Sequence, residues 1–173
     1  MRRDVQQGPE IWLRGPVAAP GPGPREPAHP ATAAAARRYS WVGTHGGAGV
    51  STLAAVYGGH DSGRDWPGPD APRSVLLVAR THASGLTAAA RALEAFRLGE
   101  APAGLDLDAL VLVADAPGRL PKPLDRHVRQ LASVIDVYRV PWVPDWRLGD
   151  LGGRLPRGTE PLARLTGAGE RHG

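Results

Sequence analysis

The sequence predicts an α/β fold: a small, mostly parallel sheet of about four strands with flanking helices. Three observations carry this. Ser74-Val-Leu-Leu-Val-Ala79 is a continuous apolar run, as expected of a strand buried on both faces. Leu86, Ala89, Ala90, Leu93 and Phe96 recur at helical spacing directly after it. A glycine-rich segment, His45-Gly-Gly-Ala-Gly-Val-Ser-Thr52, joins an apolar run to a second helical pattern.

Each element has its own signal. Tyr39–Gly43 reads as the first strand and Val50–Tyr57 as a helix that stops at Gly58-Gly59. Residues 58–73 are polar and rich in Gly, Pro and Asp. A loop this long in a compact domain is usually functional or mobile. Residues 74–79 form the second strand, and Ser84 suits the N-cap of the following helix, with Gly99 as its stop. Asp108–Ala114 is the third strand. Pro123 fits the first turn of the next helix, whose apolar face is Leu124, Val128, Leu131, Ala132 and Ile135. Val137–Val140 is a short fourth strand. Strand–helix alternation of this kind implies parallel strands joined by right-handed crossovers, with ligands outside the carboxyl ends of the strands. That edge collects the glycine segment, Arg80–Ser84, Asp115–Lys122 and Pro141–Arg147.

The flanks differ from this core. Residues 1–38 repeat Pro and Gly before an alanine run and read as a disordered tail; residues 148–173 read as a flexible one. The domain is thus expected over residues 39–147. Net charge is +4, but six arginines against Asp4, Glu10 and Glu26 put +3 of it in residues 1–38. Residues 148–173 hold +1, so the expected domain is neutral. A nucleic-acid interface normally has a basic stripe on the folded domain, so nucleic acid is expected only through the tails. Cysteine is absent, which removes disulfides and cysteine metal sites. No leader or membrane span is apparent, and the chain reads as cytoplasmic. The histidines (29, 45, 60, 82, 127 and 172) lack metal-ligand spacing.

The glycine segment suggests a phosphate site. Glycines let successive backbone N–H groups converge on an anion, and the helix that follows adds partial positive charge. The competing reading is a tight turn that needs glycine for packing alone. On these residues the chain resembles the MinD/ParA-like branch of P-loop ATPases, whose loop reads Lys-Gly-Gly-x-Gly-Lys-Thr-Thr. The glycines and both hydroxyl residues match, but His45 and Val50 stand where that family has lysines. Val75–Leu93 is similar to a strand and helix of the family, and Val140–Arg147 to its late segment near the base. The Walker B strand is then missing, replaced by the loop 58–73; a rival alignment makes Asp115-Ala-Pro-Gly118 that motif. The chain is also similar to short P-loop-like proteins of GC-rich bacteria.

The resemblance implies a cofactor site at His45, Gly46, Gly47, Ala48, Gly49, Val50, Ser51 and Thr52. It implies ATP or another nucleotide, held weakly, with Ser51 as the Mg²⁺ ligand. The only lysine is Lys122, and Arg80, Arg119 or Lys122 are candidates to supply the missing charge. Phosphoryl transfer rests on positioning and charge neutralisation. A loop without its lysine is therefore expected to bind rather than hydrolyse. The expected role is a non-hydrolysing, nucleotide- or phosphate-responsive module that binds a protein partner. The alternatives are an atypical active ATPase or GTPase and a structural adaptor that binds no nucleotide. Trp142 and Trp146 stand to stack on a base or a partner, or to cover the sheet edge. A triad of Ser51, His45 and Asp115 is disfavoured because Ser51 opens a helix.

Overall fold

The computed structural model describes residues 38–170. The tail expected over residues 1–38 falls, apart from Arg38, outside them. In chain order the elements are β1 (Tyr39–Gly43), α1 (Val50–Tyr57), β2 (His60–Asp61), β3 (Ser74–Arg80), α2 (Ala83–Arg97), β4 (Asp106–Val113), α3 (Lys122–Ala132), β5 (Val137–Val140), α4 (Pro144–Arg147) and α5 (Glu160–Thr166), with a 3₁₀ turn at Ala168–Glu170.

All strands pair in parallel, in the order β2-β1-β3-β4-β5. The chain therefore winds one way from β1 to β2 and the other way from β3 onward. The reversal lies between β1 and β3, where Tyr39 sits beside Ser74 and Gly43 beside Val78. This is one of the two common doubly wound orders, and folds of this order bind ligands, where they do, in the crevice at that reversal. Helices cover both faces. Leu53, Val56 and Tyr57 of α1 pack with Leu162 and Ala163 of α5 on Trp41, Leu76, Val78 and Val111. On the other face Leu86 and Ala89 of α2 and Val128 and Leu131 of α3 pack on Val75, Leu77, Leu110 and Leu112. Residues 75–79 alternate between these two cores and are fully buried, which is why their sequence is apolar without a break.

Three expectations change. The sheet has five strands rather than about four, because the loop 58–73 contains β2, which pairs with Ser40 and Trp41. Two residues are too few for a periodic signal. The loop is also pinned: Trp41 Nε1 donates to Gly58 O at 2.6 Å, Gly43 N–H to Gly63 O at 2.7 Å, and Trp66 packs 5.9 Å from Phe96. It serves as the β2-to-β3 crossover that a helix would otherwise make.

The N-cap of α2 is His82 rather than Ser84; its Nδ1 accepts the Gly85 N–H at 2.9 Å. Ile135 lies past the end of α3, although it still packs on the core.

The flexible tail expected from Leu148 is folded in part. Thr159, Leu162, Ala163, Thr166 and Ala168 are buried, and α5 shares a core with α1. Its Gly-, Arg- and Pro-rich surroundings hid a two-turn helix that opens on Glu160, with Pro161 in its first turn.

Candidate functional site

The glycine loop runs from Thr44 to Gly49 at the reversal between β1 and β3. The Thr44 N–H and hydroxyl both reach Val78 O, at 2.9 and 3.1 Å, which fixes where the loop leaves the sheet. Gly47 (φ 73°) and Gly49 (φ 104°) turn it through left-handed backbone that other residues adopt at a cost. Gly49 is the N-cap of α1 and supplies no side-chain cap. Among the described residues, no backbone hydrogen bond begins at an N–H from His45 to Thr52. Those donors run through the loop and into the first turn of α1.

Its side chains divide. Gly46, Gly47 and Ser51 are exposed, while Thr52 is half-buried. Ala48 and Val50 turn inward. Val50 is 8% exposed, and a Cβ at Gly43 would lie 3.0 Å from its Cγ2. The position that the resemblance aligns with the P-loop lysine is thus a core position here. Its side chain packs inward, so any contact of Val50 with a ligand in the loop would be through its backbone N–H.

The cation brought against the loop is Arg80. It ends β3, and its guanidinium spans the loop and the neighbouring strand end: Nε donates to Gly47 O at 3.3 Å and Nη1 to Ala114 O at 3.0 Å. Burial lowers its pKa, Asp115 opposes this and Arg147 adds to it, yet a guanidinium stays charged at neutral pH. The backbone N–H of Arg80 donates to His45 Nε2 at 3.0 Å, while His45 Nδ1 lies 2.9 Å from Gly46 O. A ring that accepts at Nε2 and donates at Nδ1 is the neutral tautomer. With both nitrogens committed to backbone, His45 has none to offer Ser51, which removes the triad. Its ring lies 5.1 Å from that of His82, so the β1 loop and the α2 cap meet at two histidines.

Arg119 and Lys122 are exposed, and neither hydrogen-bonds to the glycine loop among the described residues. Of the three candidate cations, Arg80 alone is brought to it.

Beside the loop lies a cleft of about 50 Å³ bounded by Gly49, Thr52, Arg80, Trp142, Trp146 and Arg147. Trp146 packs on the α1-side core and covers the sheet edge. The Arg147 guanidinium sits 4.9 Å from the Trp142 ring centroid, so that ring face is already taken.

A family profile matches residues 39–161, from the first residue of β1 into α5. The chain belongs to the family of unknown function DUF6668. No curated protein and no solved structure matches it. The DUF6668 match spans the whole carboxyl edge: the glycine loop, Arg80, the His45–His82 pair and the segment 141–147. Among the described residues of this DUF6668 domain, no group of three or more His, Asp or Glu stands ready for a metal. Ser51 offers one exposed hydroxyl, so a Mg²⁺ there would need oxygens from a phosphate ligand. No helix among them is long and apolar enough to cross a membrane.

Proposed function

We propose that this DUF6668 domain is a non-hydrolysing, nucleotide- or phosphate-responsive module that binds a protein partner. The observation that carries the reading is Gly46. A Cβ there would meet nothing within 4 Å, and its φ is not positive. Neither packing nor backbone conformation asks for glycine at that position. Close approach of a ligand to the backbone does, and the free N–H row of residues 45–52 supports the same reading.

Arg80 and Arg147 on the cleft supply charge of the sign a phosphate needs. A charged hydrogen bond contributes about 1.5–3 kcal/mol. The lack of a lysine at position 50 therefore weakens binding by about ten- to a hundredfold without abolishing it. Arg147 belongs to α4, and the next residue, Leu148, is 85% exposed. An anion that draws Arg147 from Trp142 would move α4 and the apolar side chain beside it. That couples the cleft to a partner surface.

The packing of Val50 favours a second reading, an adaptor in which the loop is only a strand-to-helix turn. Calorimetric titration with ATP, ADP, GTP and inorganic phosphate, each with Mg²⁺, separates the two. The module binds at least one of them without releasing phosphate; the adaptor binds none.

A further inference from the structure

A second cavity opens at the carboxyl ends of β4 and β5, lined by the β4–α3 loop and by the segment before α5. It measures about 490 Å³, within the roughly 300–1,000 Å³ usual for small-molecule sites. Its open apolar surface comes from Leu120, just before α3, and Leu124, in the first turn of α3, both half-buried; Leu112 and Val140 behind them are fully buried, on opposite faces of the sheet. Its rim is cationic. Arg119, Arg139 and Arg157 line it, with Asp115 as the one carboxylate.

The three arginines are not equivalent. Arg139 is held by Asp125 at 3.3 Å, and that carboxylate also holds Arg129 at 2.9 Å. Arg119 and Arg157 have no ion pair among the described residues. They come from different segments, the β4–α3 loop and the stretch before α5, and both line the cavity. Solvated arginines on a flat surface would not come with a concave, partly apolar lining. Apolar surface left open in a concave site beside two arginines without ion pairs fits a ligand with an apolar body and an anionic head.

We propose that this cavity binds a small planar apolar anion, its ring on Leu120 and Leu124 and its carboxylate or phosphate between Arg119 and Arg157. The site is separate from the glycine loop. The two cavities share Ala114 and Pro141, but none of residues 45–52 lines this one.

The test titrates ¹⁵N-labelled protein with 1-naphthoate, 1-naphthyl phosphate and the uncharged 1-naphthamide. At least one anion should give saturable shifts at the amides of Ala116, Gly118, Leu120 and Gly158, and naphthamide should bind at least tenfold more weakly. The stronger anion assigns the head group. The double variant Arg119→Ala/Arg157→Ala should weaken anion binding at least tenfold with an unchanged melting temperature, since both side chains are exposed. Should it melt early, Arg119→Gln and Arg157→Gln singly take its place and should each weaken binding. The Gly46→Ala variant should bind these probes normally, so failure of the glycine-loop proposal and failure of this one are distinguishable. No saturable shift, equal binding of anion and amide, indifference to the arginine variants, or shifts confined to residues 45–52 would each overturn the proposal.

Discussion

His45 Nε2 accepts the backbone N–H of Arg80 at 3.0 Å, so a ring nitrogen ties the loop after β1 to the end of β3. The bond crosses the reversal of the sheet and places the Arg80 guanidinium against the loop at Gly47 O. It also requires an unprotonated Nε2. Replacing His45 by Phe keeps a ring near His82 but leaves the Arg80 N–H without its acceptor. The bond is only partly buried, so the expected loss is about 1 kcal/mol, the low end of the penalty for an unsatisfied buried donor. Urea denaturation reads it; an unchanged midpoint would show that water replaces the ring at no cost.

Gly46→Ala should leave stability within about 0.5 kcal/mol of the parent, because its Cβ has open space and its φ is not positive. Phosphate or nucleotide binding should fall nonetheless. A variant that binds as the parent does would mean that no ligand approaches the backbone closely at position 46.

Val50→Lys should destabilise the fold by about 1–3 kcal/mol, since it puts a charged group into an apolar site against Gly43. It also sets a cation at the N-terminus of α1, where the helix dipole disfavours it. Thermal melts and nucleotide titration check both halves. A stable variant with tightened binding would mean that position 50 can swing to the ligand edge.

Leu162→Ala should cost about 2–5 kcal/mol, the range for truncating a buried leucine. Limited proteolysis of the parent should yield a fragment that retains α5 rather than one ending near Arg147. A stable fragment lacking residues 148–168 would contradict the packing of α5 on α1.

Burial raises the pKa of Tyr57, whose hydroxyl lies beside Thr159, and Glu160 adds to the rise. The folded state thus keeps this proton where the unfolded state, near its ordinary pKa of about 10, has lost it. Stability from this group is complete below pH about 10 and falls as pH rises beyond it. Urea midpoints at pH 8 and pH 10.5 should drop less for Tyr57→Phe than for the parent. Equal drops would assign the alkaline loss elsewhere.

The sequence made the sheet legible where burial is two-sided or periodicity is long. Residues 74–79 announced β3, and the stripe from Leu86 to Phe96 announced α2. It failed where an element is held by tertiary contacts rather than by its own pattern. β2 exists because Ser40 and Trp41 offer a free edge, and α5 because Leu162 and Ala163 find the α1 face. The glycine loop was legible as strand, turn and helix. The direction of Val50 was not, because a valine fits a core and a ligand edge equally well in a one-dimensional pattern. Arg80 was one of three candidate cations, and only the β1–β3 pairing selects it. The cap of α2 is His82, whose Nδ1 accepts the Gly85 N–H while its ring lies beside that of His45, a contact with no signal in local sequence.

Whether the glycine loop holds a phosphate is decided most sharply by an amide-resolved titration of the loop itself. Labelled protein receives inorganic phosphate and then ATP with Mg²⁺, with phosphate release followed in parallel. A phosphate-binding, non-hydrolysing loop should give saturable shifts at Gly46, Gly47, Gly49 and Ser51, lose them in Gly46→Ala, and show no turnover. Loop amides that ignore every ligand would contradict this and leave the glycines to packing, and turnover abolished by Ser51→Ala would contradict it in the other direction.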